Sequence, residues 1–201
     1  TGWYTLSLHD ALPILTALDE GSFRLKVYQG SLNNFDSGQR VLINEFLPNP
    51  TGADGYQEWI ELKSFSSSRN FNLKDENINI NGTNYQINED VIIRLGQVVL
   101  FAASTDMTQN GGLDTVVWAW GAPNVIPDTA GTISLRESNG TSVCDTISYT
   151  ASWPIVEGAS VSLDPESSTP DDSKTRNDNS ANWCSANEDG TPPDMTPRSL
   201  N

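Results

Sequence analysis

Residues 41–62, VLINEFLPNPTGADGYQEWIEL, are the feature that most limits what this chain can fold into. They form two apolar runs, rich in β-branched and aromatic residues, on either side of a loop with two prolines and two glycines. Such runs favour the half-buried, pleated surface of a strand, and the prolines and glycines exclude a helix between them. The runs also contain Glu45, Glu58 and Glu61, which need hydrogen-bond donors if they are buried. We therefore expect a β domain with a few specific polar contacts.

The chain beyond this stretch continues with short alternating runs separated by turn residues. Asn-Gly pairs at 81–82 and 139–140 lie between such runs and are strong hairpin signals. The predicted strands after residue 62 are 73–80, 83–87, 97–103, 114–120, 132–137, 142–149 and 159–163. No window from residue 41 onward has a helical period. About nine short strands at this spacing predict an all-β fold, a β-sandwich with Greek-key connections, followed by a long irregular C-terminal tail.

Residues 1–40 differ in pattern from the rest of the chain. The stretch WYTLSLHDALPIL at residues 3–15 resembles translated sequencing-adapter read-through of metagenomic fragments, so we expect residues 1–15 to be a non-native leader. A short amphipathic helix over residues 8–18 is the alternative. Residues 16–40 contain an alternating strand, SFRLKVY at 22–28, and a linker. This strand belongs either to an upstream region or to an edge of the main sheet, and the domain itself spans 41–201.

Charge and composition exclude several classes of function. The 201 residues carry a net charge of −15, whereas a nucleic acid or an anionic membrane surface requires a basic face. No apolar run is long enough to span a membrane. Two cysteines and one histidine are too few for a zinc site, and His9 lies in the leader, which rules out Ser–His–Asp chemistry. We expect neither an enzyme nor a resident cofactor.

A series of motifs from residue 41 onward points to a known family by its order and spacing. The motifs are INE at 43–45, PNP at 48–50, EWIEL at 58–62, LGQVVLFAA at 95–103, DTVVWAWG at 114–121, TISLRESNG at 132–140, WP at 153–154, SVSLDP at 160–165, NWC at 182–184 and TPRSLN at 196–201. In this order they resemble the lamin tail domain, an immunoglobulin-like β-sandwich of nuclear lamins and of many bacterial secreted proteins. Arg198 stands where the bacterial form has a glycine. The resemblance implies an immunoglobulin-like sandwich whose structural motif residues are Asn44, Glu45, Glu58, Trp59, Glu61 and Trp183.

The resemblance also implies a function. It indicates a non-catalytic interaction or scaffolding module of a larger exported bacterial protein, secreted or at the cell surface. The module would bind a protein or a cell-surface polymer beside other domains of its chain. The alternative is a carbohydrate-binding or calcium-dependent accessory domain of a secreted hydrolase. Trp118 and Trp120 share a strand face and would be its ligand platform, although core packing is favoured. Acidic residues at 171–178 and 188–194 lack the EF-hand spacing for calcium, so a solvated loop is favoured.

Cys144 and Cys184 are predicted to form a disulfide, because the bacterial proteins that this chain resembles are exported and oxidising compartments preserve such bonds. The bond would attach the polar tail to the sandwich. Two buried thiols in a reducing cell are the alternative.

The carboxylates of the opening stretch do not form a predicted catalytic pair. Glu58 and Glu61 lie three positions apart on a strand and therefore point to opposite faces, whereas glycoside hydrolysis needs two carboxylates that flank one cleft. We expect Glu45, Glu58 and Glu61 to accept hydrogen bonds from the backbone or from Arg and Lys across the sheet.

Overall fold

The computed structural model describes residues 27–28, 41–52, 55–66, 69–164 and 175–186, in which there are thirteen strands and two short 3-10 helices. The strands are β1 (Val27–Tyr28), β2 (Val41–Leu47), β3 (Trp59–Ser64), β4 (Asn70–Asn72), β5 (Asn77–Ile80), β6 (Thr83–Gln86), β7 (Ile92–Ile93), β8 (Val98–Ala102), β9 (Val116–Ala119), β10 (Gly131–Arg136), β11 (Val143–Tyr149), β12 (Val161–Leu163) and β13 (Trp183–Ser185). The helices are η1 (Arg176–Asp178) and η2 (Ser180–Asn182). The described part of the chain has no α-helix, and its all-β class is confirmed.

The largest sheet has six strands in the order β13-β12-β2-β3-β8-β9. Its pairs are antiparallel except β8 with β9, which is parallel. The two strands predicted within residues 41–62 are β2 and β3, and they pair with each other in the middle of this sheet. The stretch that most limits the fold is therefore its central hairpin.

A second sheet has four strands in the order β11-β10-β5-β6. The turn between β5 and β6 is Asn81-Gly82, with φ values of 48° and 89°. Positive φ at both positions matches the right-handed twist of the flanking strands, which confirms the predicted hairpin. The predicted turn at 139–140 lies in a longer connection between β10 and β11, where Asn139 Oδ1 accepts hydrogen bonds from the backbone of Thr141 and Ser142.

The third sheet is small and has the order β1-β4-β7. Its strand β1 is the described end of the predicted strand 22–28 and pairs in parallel with β4. This strand therefore lies at the edge of the small sheet rather than of the main one. Residues 1–26 and 29–40, including the expected leader, lie outside the described residues.

The two larger sheets meet in one apolar core, which gives the domain a sandwich-like arrangement. Apolar side chains at alternate strand positions supply it, as the period of two requires. Its members include Ile43, Phe46, Ile60, Leu62 and Phe101 from the six-stranded sheet, and Ile78, Ile80, Ile133, Leu135 and Ile147 from the four-stranded sheet.

The opposite face of the six-stranded sheet is also buried around the β2–β3 hairpin. A second apolar cluster lies there and consists of Leu47, Trp59, Leu100, Ala102 and Leu113. Burial on both faces explains why β2 is an almost continuous apolar run, since a strand with one wet face would alternate apolar and polar residues.

The described part of the C-terminal tail is more regular than predicted. In residues 175–186, η1 and η2 lead into β13, which pairs antiparallel with β12 at the edge of the six-stranded sheet. The indole of Trp183 is buried in the main core and lies 5.7 Å from the ring of Phe46 and 5.3 Å from that of Trp153. The prediction of an irregular tail was wrong for this segment, because Trp183 anchors the segment in the core and β13 pairs with β12.

Candidate functional site

Two carboxylates of the central hairpin lie directly opposite each other. Glu45 on β2 and Glu61 on β3 are register partners, and opposite residues of an antiparallel pair share a face. Glu45 Oε1 accepts a hydrogen bond from Ser160 Oγ at 2.5 Å. Glu61 Oε1 accepts one from Asn44 Nδ2 at 2.7 Å. Both side chains are buried, so in this conformation they bind neighbouring side chains and do not face solvent.

The irregularity that produces this pair is a β-bulge in β2. The register shifts between Ile43 and Glu45, and a bulge places an extra residue, here Asn44, outside the regular ladder. The amide of Asn44 can therefore reach Glu61 on the neighbouring strand. Sequence reasoning compared Glu58 with Glu61 and did not pair Glu45 with Glu61, because the register of β2 against β3 depends on this bulge.

The third carboxylate, Glu58, holds a loop. Glu58 Oε2 accepts a hydrogen bond from the backbone N–H of Val125 at 2.8 Å, and Oε1 accepts one from the N–H of Ile126 at 2.9 Å. The side chain is fully buried. Glu58 binds beside Ile126, a member of the main core, and so lies on the core face of the sheet. Glu61 is the register partner of Leu100, a member of the second cluster, and so lies on the other face. The expectation that Glu58 and Glu61 point to opposite faces is confirmed, as is the expectation that the carboxylates accept hydrogen bonds. Glu58 binds the predicted backbone donors, whereas the serine and asparagine side chains that donate to Glu45 and Glu61 were not predicted.

The tryptophans considered as a ligand platform are buried. Trp118 is 4% exposed and Trp120 is 7% exposed. The indole N–H of Trp118 donates to Asn88 Oδ1 at 3.3 Å, and that of Trp120 donates to the carbonyl of Ala122 at 2.9 Å. The ring of Trp118 also meets that of Phe101 edge to face at 5.2 Å. The platform interpretation was wrong, and core packing is confirmed.

The structure shows no disulfide between Cys144 and Cys184, the bond that was predicted. Cys184 lies on β13 opposite Ser162, and its Sγ is 3.6 Å from the carbonyl oxygen of that residue. Cys144 lies on β11 in the other sheet and packs against the main core. Because Trp183 points into the core, strand alternation turns the neighbouring Cys184 away from it. The side chain that anchors the tail therefore sets the direction of the cysteine.

A buried polar contact joins β2, β11 and the tail, and sequence analysis missed it. Asp145, on β11, is 2% exposed. Its Oδ2 accepts hydrogen bonds from the N–H of Ile43 and from Asn177 Nδ2, each at 2.7 Å. Asn177 Nδ2 also donates to the carbonyl of Ile43 at 3.0 Å. Burial raises the pKa of Asp145 to about 6 and the negative charge of Asp178 adds to the rise, although these two donors and the backbone N–H of Thr146 oppose it.

The surrounding tail residues bind one another around Asn177. The guanidinium of Arg176 donates to the carbonyl of Asp164 at 2.6 Å. The carbonyl of Arg176 accepts from Asn182 Nδ2 at 2.7 Å, and the carbonyl of Asn177 accepts from Trp183 Nε1 at 2.9 Å. The sequence does indicate that Asp145 is buried, because strand alternation places it on the same face as Ile147 and Tyr149. Its partner Asn177 lies 32 positions away, and no local pattern indicates that distance.

A second buried acid lies near the turn between β10 and β11. Burial raises the pKa of Glu76 to about 7, the negative charges of Glu137 and Asp75 add to the rise, and a backbone hydrogen bond from Ser138 opposes it. Glu76 Oε2 has no hydrogen-bond partner. A carboxyl in this setting carries a proton for part of the time at neutral pH.

The described residues contain no group of three or more His, Cys, Asp or Glu side chains placed to hold a metal ion. Residues 171–174 and 188–194, named above for calcium, lie outside the described residues. In the described part, no helix has the length and hydropathy that a membrane span requires.

Comparison with known proteins adds no assignment. A scan against models of known protein families finds none that matches the chain, and a search of curated proteins finds no match. The resemblance to the lamin tail domain therefore rests on the sequence motifs, and the function that it implies is a proposal.

Proposed function

We propose that this chain is a non-catalytic interaction or scaffolding module of a larger exported bacterial protein, located outside the cell or on its surface. We further propose that its sandwich has the immunoglobulin-like, Greek-key topology of a lamin tail domain. The observation that carries the proposal is the use of the motif carboxylates: Glu58 binds two backbone amides, and Glu45 and Glu61 bind Ser160 and Asn44. Because these carboxylates are used to hold strands and a loop together, we expect a partner to be bound by the outer sheet edges and the exposed loops.

The edge strand β6 supports binding through a sheet edge. Among the described strands it pairs only with β5, and three of its four residues are exposed. Hydrogen-bonded and non-hydrogen-bonded residue pairs alternate along an antiparallel hairpin. In this register Tyr85 and Ile78 form a hydrogen-bonded pair, so the next pair, Gln86 and Asn77, is not hydrogen-bonded. The backbone N–H of Gln86 therefore points outward, where an extended segment of a partner protein can add to the sheet. We expect no nucleic-acid partner because the chain is acidic, and no membrane insertion because no apolar run is long enough to span a membrane.

The test is retention of the purified protein by three surfaces. They are isolated bacterial cell envelopes, the same envelopes after protease treatment, and insoluble cellulose with and without calcium. We expect retention by envelopes to fall after protease treatment and no hydrolysis of any polymer. Gln86→Pro should weaken retention, because proline removes the outward N–H. The control Gln86→Ala keeps that N–H and should bind like the wild type.

Two results would contradict this function, and a third would contradict only the proposed docking edge. Calcium-dependent retention by cellulose would support the accessory domain of a hydrolase instead. Hydrolysis of a polymer would make the chain an enzyme. Equal binding by Gln86→Pro and the wild type would exclude β6 as the docking edge.

A further inference from the structure

Residues 175–186 occupy a position from which they can leave without breaking the sandwich. Their strand β13 is the last strand of the six-stranded sheet and pairs only with β12 among the described strands. Strand β12 also pairs with β2, so it remains in the sheet if β13 detaches. Detachment would expose the outer edge of β12 and withdraw Trp183 from the core.

The side chain of Asn177 connects this segment to both large sheets. Asn177 reaches between β2 and β11, and its Nδ2 donates both to the carbonyl of Ile43 and to Asp145 Oδ2. The carbonyl of Asn177 in turn accepts from the indole of Trp183. The amide of Asn177 therefore connects the polar contact at Asp145 to the apolar contact at Trp183.

The contact is incomplete when Asp145 is ionised. Asn177 is fully buried, yet its Oδ1 has no hydrogen-bond partner, and a buried acceptor without a donor is costly. An ionised carboxylate has no proton to donate, whereas a protonated one can donate from its second oxygen. An amide and a carboxylic acid that face each other can exchange two hydrogen bonds, and Asn177 Nδ2 to Asp145 Oδ2 is already one of them.

We propose that residues 175–186 form a proton-dependent latch, in which closure of the segment takes up one proton that Asp145 holds and donates to Asn177 Oδ1. Loss of that proton leaves a buried charge beside an unsatisfied amide oxygen and favours opening. The ligand of this device is the proton itself.

The other charged groups around Asp145 do not replace the proton. Asp178, on η1, adds negative charge to the site. Arg176, also on η1, directs its guanidinium to the carbonyl of Asp164. Arg136, on β10, donates to the carbonyl of Gly140, and Glu45, on β2, binds Ser160 on the opposite face of its sheet.

The direction of the pH effect follows from the pKa of Asp145 in the two states. The pKa is about 6 when the segment is closed and approaches the ordinary value of 3.8 when opening admits water. Because the closed state binds this proton more tightly than the open state, low pH favours closure. This stabilisation of the closed state is lost as the pH rises through 6. Between pH 7.5 and pH 5, the closing equilibrium should strengthen about tenfold.

The experiment is residue-resolved amide exchange on the whole chain at pH 5 and pH 7.5, corrected for the intrinsic exchange rates. Protection of the β13 amides should be about tenfold greater at pH 5. Asp145→Asn has nearly the same shape but cannot ionise, so its β13 protection should be independent of pH. The control Asp114→Asn makes the same change of charge at an exposed position and should retain the tenfold effect.

Amides of β3 provide the internal reference. We expect them to be more protected than those of β13 at both pH values, because a latch opens while the central strands stay closed. Equal protection in β3 and β13 would mean that the segment opens only with global unfolding and would overturn the proposal. A pH-independent wild type, or a tenfold effect that persists in Asp145→Asn, would also overturn it.

A titration of the wild type keeps the test decisive if Asp145→Asn does not fold. The carboxyl carbon of Asp145 can be followed by NMR from pH 3 to pH 8. An apparent pKa near 6 is the expected result, and a value near 3.8 in the folded protein would refute a proton held by the closed latch.

Discussion

Glu58→Gln is the substitution whose effect the structure defines most clearly. The carboxylate uses one oxygen for each of two neighbouring backbone amides, those of Val125 and Ile126. Glutamine has nearly the same shape but only one acceptor oxygen. Its NH₂ group would face the N–H of one of these residues, so a donor would meet a donor inside the protein.

The expected cost follows from these two contacts. A hydrogen bond to a charged group contributes about 1.5–3 kcal/mol, and a buried polar group without a partner costs about 1–3 kcal/mol. Loss of one charged bond, together with weakening of the other, should lower the free energy of unfolding by about 3 kcal/mol. For a chain of this size that corresponds to a fall in Tm of roughly 6–12 °C.

The assay is urea unfolding at pH 7, followed by tryptophan fluorescence, with Glu89→Gln as the control. Glu89 is exposed, so the same chemical change there should alter stability by less than about 0.5 kcal/mol. Amide exchange in Glu58→Gln should rise at Val125 and Ile126 before it rises in β3. A loss below about 1 kcal/mol in Glu58→Gln, or a loss equal to that of Glu89→Gln, would refute the role of Glu58 as the support of this loop.

Two further predictions concern a turn and the cysteines. Gly140→Ala should destabilise the domain by about 1 kcal/mol more than Gly96→Ala. Both glycines have positive φ, but only at Gly140 would the new Cβ meet Asn84 Nδ2, at 2.5 Å. Displacing this amide would disturb its hydrogen bonds with Asn79 and with the carbonyl of Gly140, and equal losses in thermal unfolding would contradict this. A reducing agent should leave Tm unchanged, because no disulfide joins Cys144 and Cys184, and a clear fall in Tm on reduction would show that the bond forms in solution.

The strands and their class were predictable because their signals are local. The Asn-Gly turn at 81–82 requires positive φ from residues that tolerate it, and the apolar runs in residues 41–62 require a pleated, buried surface. The expectation that Glu45, Glu58 and Glu61 accept hydrogen bonds was likewise a local argument, since a carboxylate in an apolar strand needs donors wherever it lies.

The partners of those groups were not predictable, because each depends on a register or on a contact between distant segments. The pairing of Glu45 with Glu61 follows from a bulge at Asn44, and a shift of one residue would have turned each side chain to the other face. The disulfide between Cys144 and Cys184 was predicted without knowing that Trp183 enters the core.

The sequence by itself determined that this is an acidic, all-β chain built around the β2–β3 hairpin, because composition, alternation and turn chemistry act over a few residues. The tertiary structure alone decided what each buried polar group binds. Asp145 and Asn177 are 32 positions apart and meet only because β2 and β11 face each other while Trp183 draws the tail into the core. Contacts of that kind arise from packing of whole elements, and no pattern within either segment specifies them.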